Sequence, residues 1–165
     1  MNTLRGVAHV YGDNIDTDRI IPGKYTKSLD MSALASHVLE DLDPEFSKRV
    51  ESGDILVAGN NFGCGSSREQ AAIALKSAGV AAVVANYFAR IFYRNAINIG
   101  LPVVEVGAHN IRTGDVLEID LVQGIVRNLT QDSEYDATTM PQVMVDILAA
   151  GGLVTYLKRH GDYGL

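Results

Sequence analysis

The sequence predicts an α/β fold with a partly parallel sheet and an antiparallel C-terminal portion, and three features carry that prediction. Apolar runs alternate with helical periods between residues 55 and 106, the βαβαβ pattern of a parallel sheet. Residues 114–128 then read as a hairpin. The length of 165 residues suits one domain that buries about 68–70% of its unfolded surface, so a single unit over 1–165 is expected.

The elements follow in order. Leu4 to Tyr11 alternates weakly as a first strand and stops at Gly12-Asp13-Asn14. Pro22 to Asp30 reads as an exposed loop, with Asp30 or Ser32 capping a helix over Met31 to Leu42 whose core stripe is Leu34, Val38 and Leu42. A short helical turn follows Pro44. Ile55 to Ala58 is a brief apolar run between Gly53-Asp54 and Gly59, a buried strand. Ala71, Ala72, Leu75 and Ala78 recur at helical spacing before Gly79, which places a helix from about Ser67 to Ala78. Val80–Ala85 is the next strand, Tyr87–Asn98 a helix and Pro102–Val106 a strand. Gly114–Leu121 alternates as a half-exposed strand with Gly124–Asn128 as its partner. Met140–Ala149 is helical up to Gly151-Gly152, and Leu153–Arg159 forms a last short element.

Composition excludes several classes of function. Hydrophobic residues make up 47% and charged residues 21%, which argues against disorder. A net charge of −6 argues against nucleic acid or an anionic membrane as partner. No apolar run approaches the ~18 residues of a membrane span, and no basic-then-apolar leader is visible. A soluble cytoplasmic protein is expected.

The most informative segment is Gly59-Asn-Asn-Phe-Gly-Cys-Gly-Ser-Ser-Arg-Glu69, which lies where an apolar strand turns into a helix. Amide N–H groups at a helix start lack intrahelical partners and carry the positive end of the dipole, so a carboxylate or phosphate is stabilised there. Gly63 and Gly65 allow a ligand close to the backbone. A purely structural reading stands beside this one, because Ser66-x-x-Glu69 and Ser67-x-x-Gln70 both fit a capping box. Capping leaves Arg68 unexplained: the dipole disfavours a cation in the first turn.

Other motifs carry less. Cys64 is the single cysteine, so the chain holds neither an internal disulfide nor an iron–sulfur cluster by itself. With no histidine beside it in sequence, a catalytic thiol is not expected. His9, His37, His109 and His160 lack metal-ligand spacing and are expected at surface or cap positions. The acidic loop Asp13-Asn-Ile-Asp-Thr-Asp18 lacks the central glycine and terminal glutamate of a calcium loop, and reads as local Asx-type turns. Tyr87, Arg90 and Arg94 share one helix face, either a solvated surface or an extension of a carboxylate-binding surface.

Three separate segments carry a family resemblance: Asp13-Asn-Ile-Asp-Thr-Asp-Arg-Ile-Ile-Pro22, the glycine turn from Gly59 to Glu69, and Phe88-Ala-Arg-Ile-Phe-Tyr-Arg-Asn-Ala-Ile-Asn-Ile-Gly-Leu-Pro102. In that order, over nearly the whole chain, they resemble the small subunits of 3-isopropylmalate dehydratases, similar to the swivelling C-terminal domain of aconitase. The resemblance implies a swivelling β/β/α domain that closes over a large subunit carrying a [4Fe–4S] cluster, in a heterodimer or heterotetramer. This chain then binds no cofactor or metal itself.

The resemblance also implies roles. Ser66 is the base that removes the carbon-bound proton and Arg68 grips a substrate carboxylate; Gly65, Ser67, Thr26 and Lys27 contribute to substrate binding. The implied reaction is a hydro-lyase dehydration and rehydration of 2-isopropylmalate to 3-isopropylmalate in leucine biosynthesis. Two departures bear on substrate choice. Gln70 stands where many family members have histidine, and the loop Tyr25–Asp30 lacks the arginine of some forms, leaving Lys27 as a point charge rather than a bidentate fork. Homoaconitase, citramalate and 2,3-dimethylmalate hydro-lyases are therefore alternatives for the same fold. Readings outside catalysis are a non-catalytic anion-binding domain, although the turn is neither a Walker A nor a dinucleotide fingerprint, and a structural subunit whose serines only cap the helix.

Overall fold

The apolar runs form a sheet whose two halves differ in direction. In the computed structural model, which describes residues 3–27, 30–66 and 68–161, the strands are β1 (Thr3–Val10), β2 (Ile55–Val57), β3 (Ala82–Ala85), β4 (Val103–Glu105), β5 (Val116–Asp120), β6 (Ile125–Asn128) and β7 (Ser133–Asp136). Their order across the sheet is β4-β3-β2-β1-β5-β6-β7. β1 to β4 run parallel, whereas β1 pairs antiparallel with β5, and β6 and β7 continue antiparallel. β2 and β3 are buried throughout, as parallel strands covered on both faces must be. In β5 only Leu117 and Ile119 turn inward, the alternation of a strand with one wet face.

The helices are α1 (Thr17–Ile20), α2 (Met31–Ser36), α3 (Phe46–Arg49), α4 (Glu69–Ser77), α5 (Arg90–Asn98), α6 (Gln142–Ala149) and α7 (Leu153–His160). Four of them are shorter than the sequence predicts: α5 begins at Arg90 rather than Tyr87, α6 at Gln142 rather than Met140, and α2 and α4 are cut short as well. α2 stops at Ser36 because the buried Leu39 takes φ 56° and donates its N–H to Ile20 O, which places Leu39 against α1 and breaks the helix. Asp30 caps α2 by accepting from Ser32 N. α4 begins at Glu69 rather than Ser67, since Arg68 is extended (φ −118°, ψ 109°).

His9, expected at the surface, is 4% exposed. It is accommodated because Nε2 lies 2.7 Å from Asp54 Oδ2 and the ring packs edge-on against Phe46; a polar group is tolerated inside when it is hydrogen-bonded.

Asp115 opens β5 and is also buried. Burial pushes its carboxyl up, but donation from Arg112 N, Asn128 Nδ2 and Gln131 Nε2 outweighs this and holds it below the ordinary carboxylate value. A folded-state value below the unfolded one, about 3.9, contributes stability that is present above about pH 4 and lost as the pH falls through the folded value. Asp115→Asn should therefore cost about 1–3 kcal/mol at pH 7 and flatten the acid limb of thermal unfolding measured from pH 5 to 2.

Candidate active site

The parallel half of the sheet gathers three loops at the carboxyl ends of its strands, where open α/β sheets bind ligands. The loop after β1 carries Asp13 to Asp18, the loop after β2 is the glycine turn, and the loop after β3 carries Tyr87 and Phe88. Main-chain bonds lace them side by side. Gly63 N donates to Ile15 O, Thr17 N to Cys64 O, Phe62 N to Tyr87 O and Ala89 N to Phe62 O. Phe62 underpins the turn, fully buried and edge-on to both Phe88 and Phe92.

Gly63 is required by contact as well as by conformation, and Gly65 by conformation. Gly63 has φ 82°, and a Cβ there would lie 2.3 Å from Phe92 Cγ. Gly65 has φ 95° and sits over Thr17, whose Oγ1 would be 3.6 Å from such a Cβ. Backbone at residues 63 and 65 is therefore held directly against its neighbours, and the chain emerges with Gly65 and Ser66 exposed. Ser67 lies outside the described residues.

Arg68 occupies the N-cap position of α4, and among the described residues no side chain caps that helix. Ala71 N donates to Arg68 O, and the start of the helix carries the positive end of the dipole, which favours an anion. The Arg68 guanidinium, 26% exposed, donates to Asp18. It lies across Gly23, where a Cβ would stand 3.0 Å from Nη1. Loop geometry thus explains a cation at a helix start: Asp18 supplies the opposing charge, and Gly23 leaves room for the planar group.

Thr26 and Lys27 lie at the far side of this shelf. Thr26 Oγ1 donates to Gly23 O, while Lys27 is exposed. The segment is pinned by Tyr25, which stacks on His37 at 3.8 Å and donates to Glu40. His37 in turn bonds Glu40, and these contacts hold the Glu40 carboxyl below its ordinary value, the His37 hydrogen bond first among the causes.

Several residues here escape a reading by motif alone. Asp16 Oδ1 caps α1 through Arg19 N, the local satisfaction expected of the acidic loop, whereas Asp13 Oδ1 reaches across to accept from Asn60 N in the loop after β2. Asp18 instead reaches Arg68, fifty positions away. Thr17 is 2% exposed and its Oγ1 has no partner among the described residues, a buried hydroxyl beside the Gly65 backbone. No group of three or more histidine, cysteine, aspartate or glutamate side chains is disposed to hold a metal among the described residues. Cys64 alone is too few thiolates for a cluster.

Residues 39–108 match the aconitase C-terminal domain family. The chain is 57% identical over 157 residues to the 3-isopropylmalate dehydratase small subunit of Caldicellulosiruptor saccharolyticus, covering 94% of this chain and 91% of the relative. It is 54% identical over 162 residues to small subunit 1 of Methanopyrus kandleri, covering 97% and 95%. The chain belongs to the 3-isopropylmalate dehydratase small-subunit family. A crystal structure titled as the 3-isopropylmalate dehydratase of Methanocaldococcus jannaschii superimposes with a TM-score of 0.92 at 48% identity, over 96% of this chain and 95% of that one. The mixed sheet is half parallel and half antiparallel, and the glycine turn follows β2, which lies between β3 and β1 inside the parallel half.

Within this dehydratase-subunit frame, Asp18 reads as the group that orients Arg68. Asp18→Asn should raise KM about 3–10-fold, the loss of an oriented charge contact, with a smaller effect on kcat; steady-state kinetics of the reconstituted enzyme check this. A KM unchanged by the substitution would show that the ion pair does not set the position of the guanidinium.

Proposed function

We propose that the chain is the small subunit of a 3-isopropylmalate dehydratase, a hydro-lyase that interconverts 2- and 3-isopropylmalate in leucine biosynthesis in the cytoplasm. The observation that carries this reading is the exposed Ser66 beside an Arg68 already oriented by Asp18, at a helix start that no side chain caps among the described residues. Identity above 50% to the relatives over nearly full length supports the substrate class.

In this reading Arg68 binds a malate carboxylate through its planar fork, and the α4 amides share that negative charge. Ser66 takes the proton from carbon. A serine alkoxide is unfavourable in water, so the helix amides, the Arg68 charge and exclusion of solvent stabilise it. Gly65, Thr26 and Lys27 line the substrate side, with Lys27 as a point charge near the variable group of the malate, and Ser67 contributes to substrate binding as the family resemblance implies. This chain's donors do not fit an iron–sulfur cluster; the large subunit carries it and supplies the Lewis-acid chemistry for the leaving hydroxyl. Exclusion of water awaits that subunit as well, because the turn is open to solvent on this chain.

The test is an anaerobic assay of the chain with its large subunit against a panel of 2-substituted malates. The expected result is turnover of isopropylmalate ahead of the citramalate, homoaconitate and dimethylmalate members, and none by the chain alone. Failure with every malate overturns the enzymatic assignment; preference for another member reassigns the substrate.

A further inference from the structure

A second surface adjoins the catalytic turn. Between α5 and α6 lies a cleft of about 500 Å³. Phe88, Ile97, Met144 and Ile147 supply its apolar lining, and Arg90 and Arg94 stand among its lining residues, both exposed. Beside it Tyr87 and Ile91 are each 50% exposed. Arg90 and Arg94 form no ion pair among the described residues, and they are adjacent cations on one helix face of a chain whose net charge is −6. Glu105 also lines the cleft, but its Oε2 already accepts from Phe88 N. Burial, and after it the Glu105 charge, raises the Tyr93 hydroxyl above its ordinary value.

This patch is continuous with the catalytic turn. Phe62 pairs with Phe88 and bonds the main chain at Tyr87 and Ala89, so the start of α5 lies immediately beside residues 62–66. A protein that covers Ser66 along this flank crosses Tyr87 and the first turn of α5. Aromatic side chains and arginine are the residue types that dominate binding energy at interfaces, and arginines desolvated there need opposing charges.

We infer that the α5 face and its cleft seat the large subunit, through a segment that places an aliphatic side chain among Phe88, Ile97, Met144 and Ile147 and carboxylates against Arg90 and Arg94. This inference rests on the proposed function and adds where the partner binds and by what chemistry. Arg90 and Arg94 then serve assembly rather than the reaction.

The test measures affinity of the full chain for its large subunit, without oxygen, for the wild type, for Arg90→Glu/Arg94→Glu and for Met144→Arg. A Lys48→Glu/Arg159→Glu variant carries the same change in charge on other elements. Thermal unfolding first establishes that each variant is folded. Both cleft variants should bind at least tenfold more weakly, the control within twofold. The loss in the arginine variant should shrink as salt rises, as expected of charge contacts, and that in Met144→Arg should persist. Saturating large subunit should restore turnover of the arginine variant to within about twofold, an effect on association rather than on the chemical step. Unchanged affinity in folded variants overturns the inference, as does a finding that the substitutions alter only self-association of the chain or binding of a small molecule. A wild-type chain that activates no large subunit defeats the proposed function instead, so the two failures are distinguishable.

Discussion

Replacing Ser66 with alanine should lower kcat of the reconstituted enzyme by about 10²–10⁴-fold, the range for loss of a positioned proton-transfer group. Stability should stay within about 0.5 kcal/mol, as for surface substitutions that break no structural feature. The structure separates this expectation from a capping role. α4 starts at Glu69, its N-cap is Arg68, and among the described residues no side-chain oxygen, that of Ser66 included, caps it, so alanine at 66 removes no N-cap bond. A capping serine would behave in the opposite way, costing about 0.5–2 kcal/mol with turnover retained. Because proton removal is realised only in the transition state, kcat and kcat/KM should fall together. Affinity for the large subunit should not change, since the hydroxyl is one small exposed group. Thermal unfolding, steady-state kinetics and a binding isotherm on the same preparation provide the three readings. Near-normal kcat with a lowered melting temperature would remove Ser66 from the chemistry.

The parallel half of the fold is legible because burial on both faces leaves unbroken apolar runs, Ile55–Val57 and Ala82–Ala85, and because glycines punctuate them. The β5–β6 hairpin is legible from its alternation. β7 is not: Ser133-Glu-Tyr-Asp136 is a polar edge strand, and its pairing depends on main-chain bonds that any sequence offers. α1 has four residues, too few for a helical period. The spacing of Leu34, Val38 and Leu42 extends α2 past its true end, because the left-handed backbone at Leu39 responds to a contact with Ile20 from another segment.

The site divides in the same way. The glycine turn is legible as a candidate anion site through local chemistry, since helix amides, small residues and an arginine are neighbours in sequence. What orients the arginine is non-local. Asp18 and Gly23 meet Arg68 only because β1 and β2 are parallel neighbours whose loops emerge side by side. In sequence Asp18 is one carboxylate of three in a loop that satisfies its own amides. The His9–Asp54 pair has the same origin, joining the end of β1 to the entry of β2. Register, rather than residue type, selects these partners.

That dependence on close backbone approach leads to the largest expected effect on stability. Gly63→Ala places a methyl group 2.3 Å from Phe92 Cγ and 2.4 Å from Phe92 Cβ. Phe92 cannot rotate away from a clash at its own Cβ, and its ring is buried between Phe62 and Phe88. Two terms add: a left-handed backbone costs a residue with a Cβ about 1–2 kcal/mol, and overpacking a close-packed core about 1–3 kcal/mol. A loss of about 2–5 kcal/mol is a large share of the 5–15 kcal/mol typical of a folded domain. For a chain of this size it corresponds to a fall in Tm of roughly 5–15 °C. Gly53→Ala isolates the first term, because Gly53 has φ 98° but open space where the Cβ would stand. Gly12→Ala, open and without a positive φ, should be nearly neutral. Melting temperatures should therefore fall least for Gly12→Ala, more for Gly53→Ala and most for Gly63→Ala. Equal losses at Gly53 and Gly63 would mean that Phe92 does not press on the turn. Relief of the clash by displacement of the turn would carry Ser66 with it, so the Gly63 variant should also lose turnover at temperatures where it remains folded.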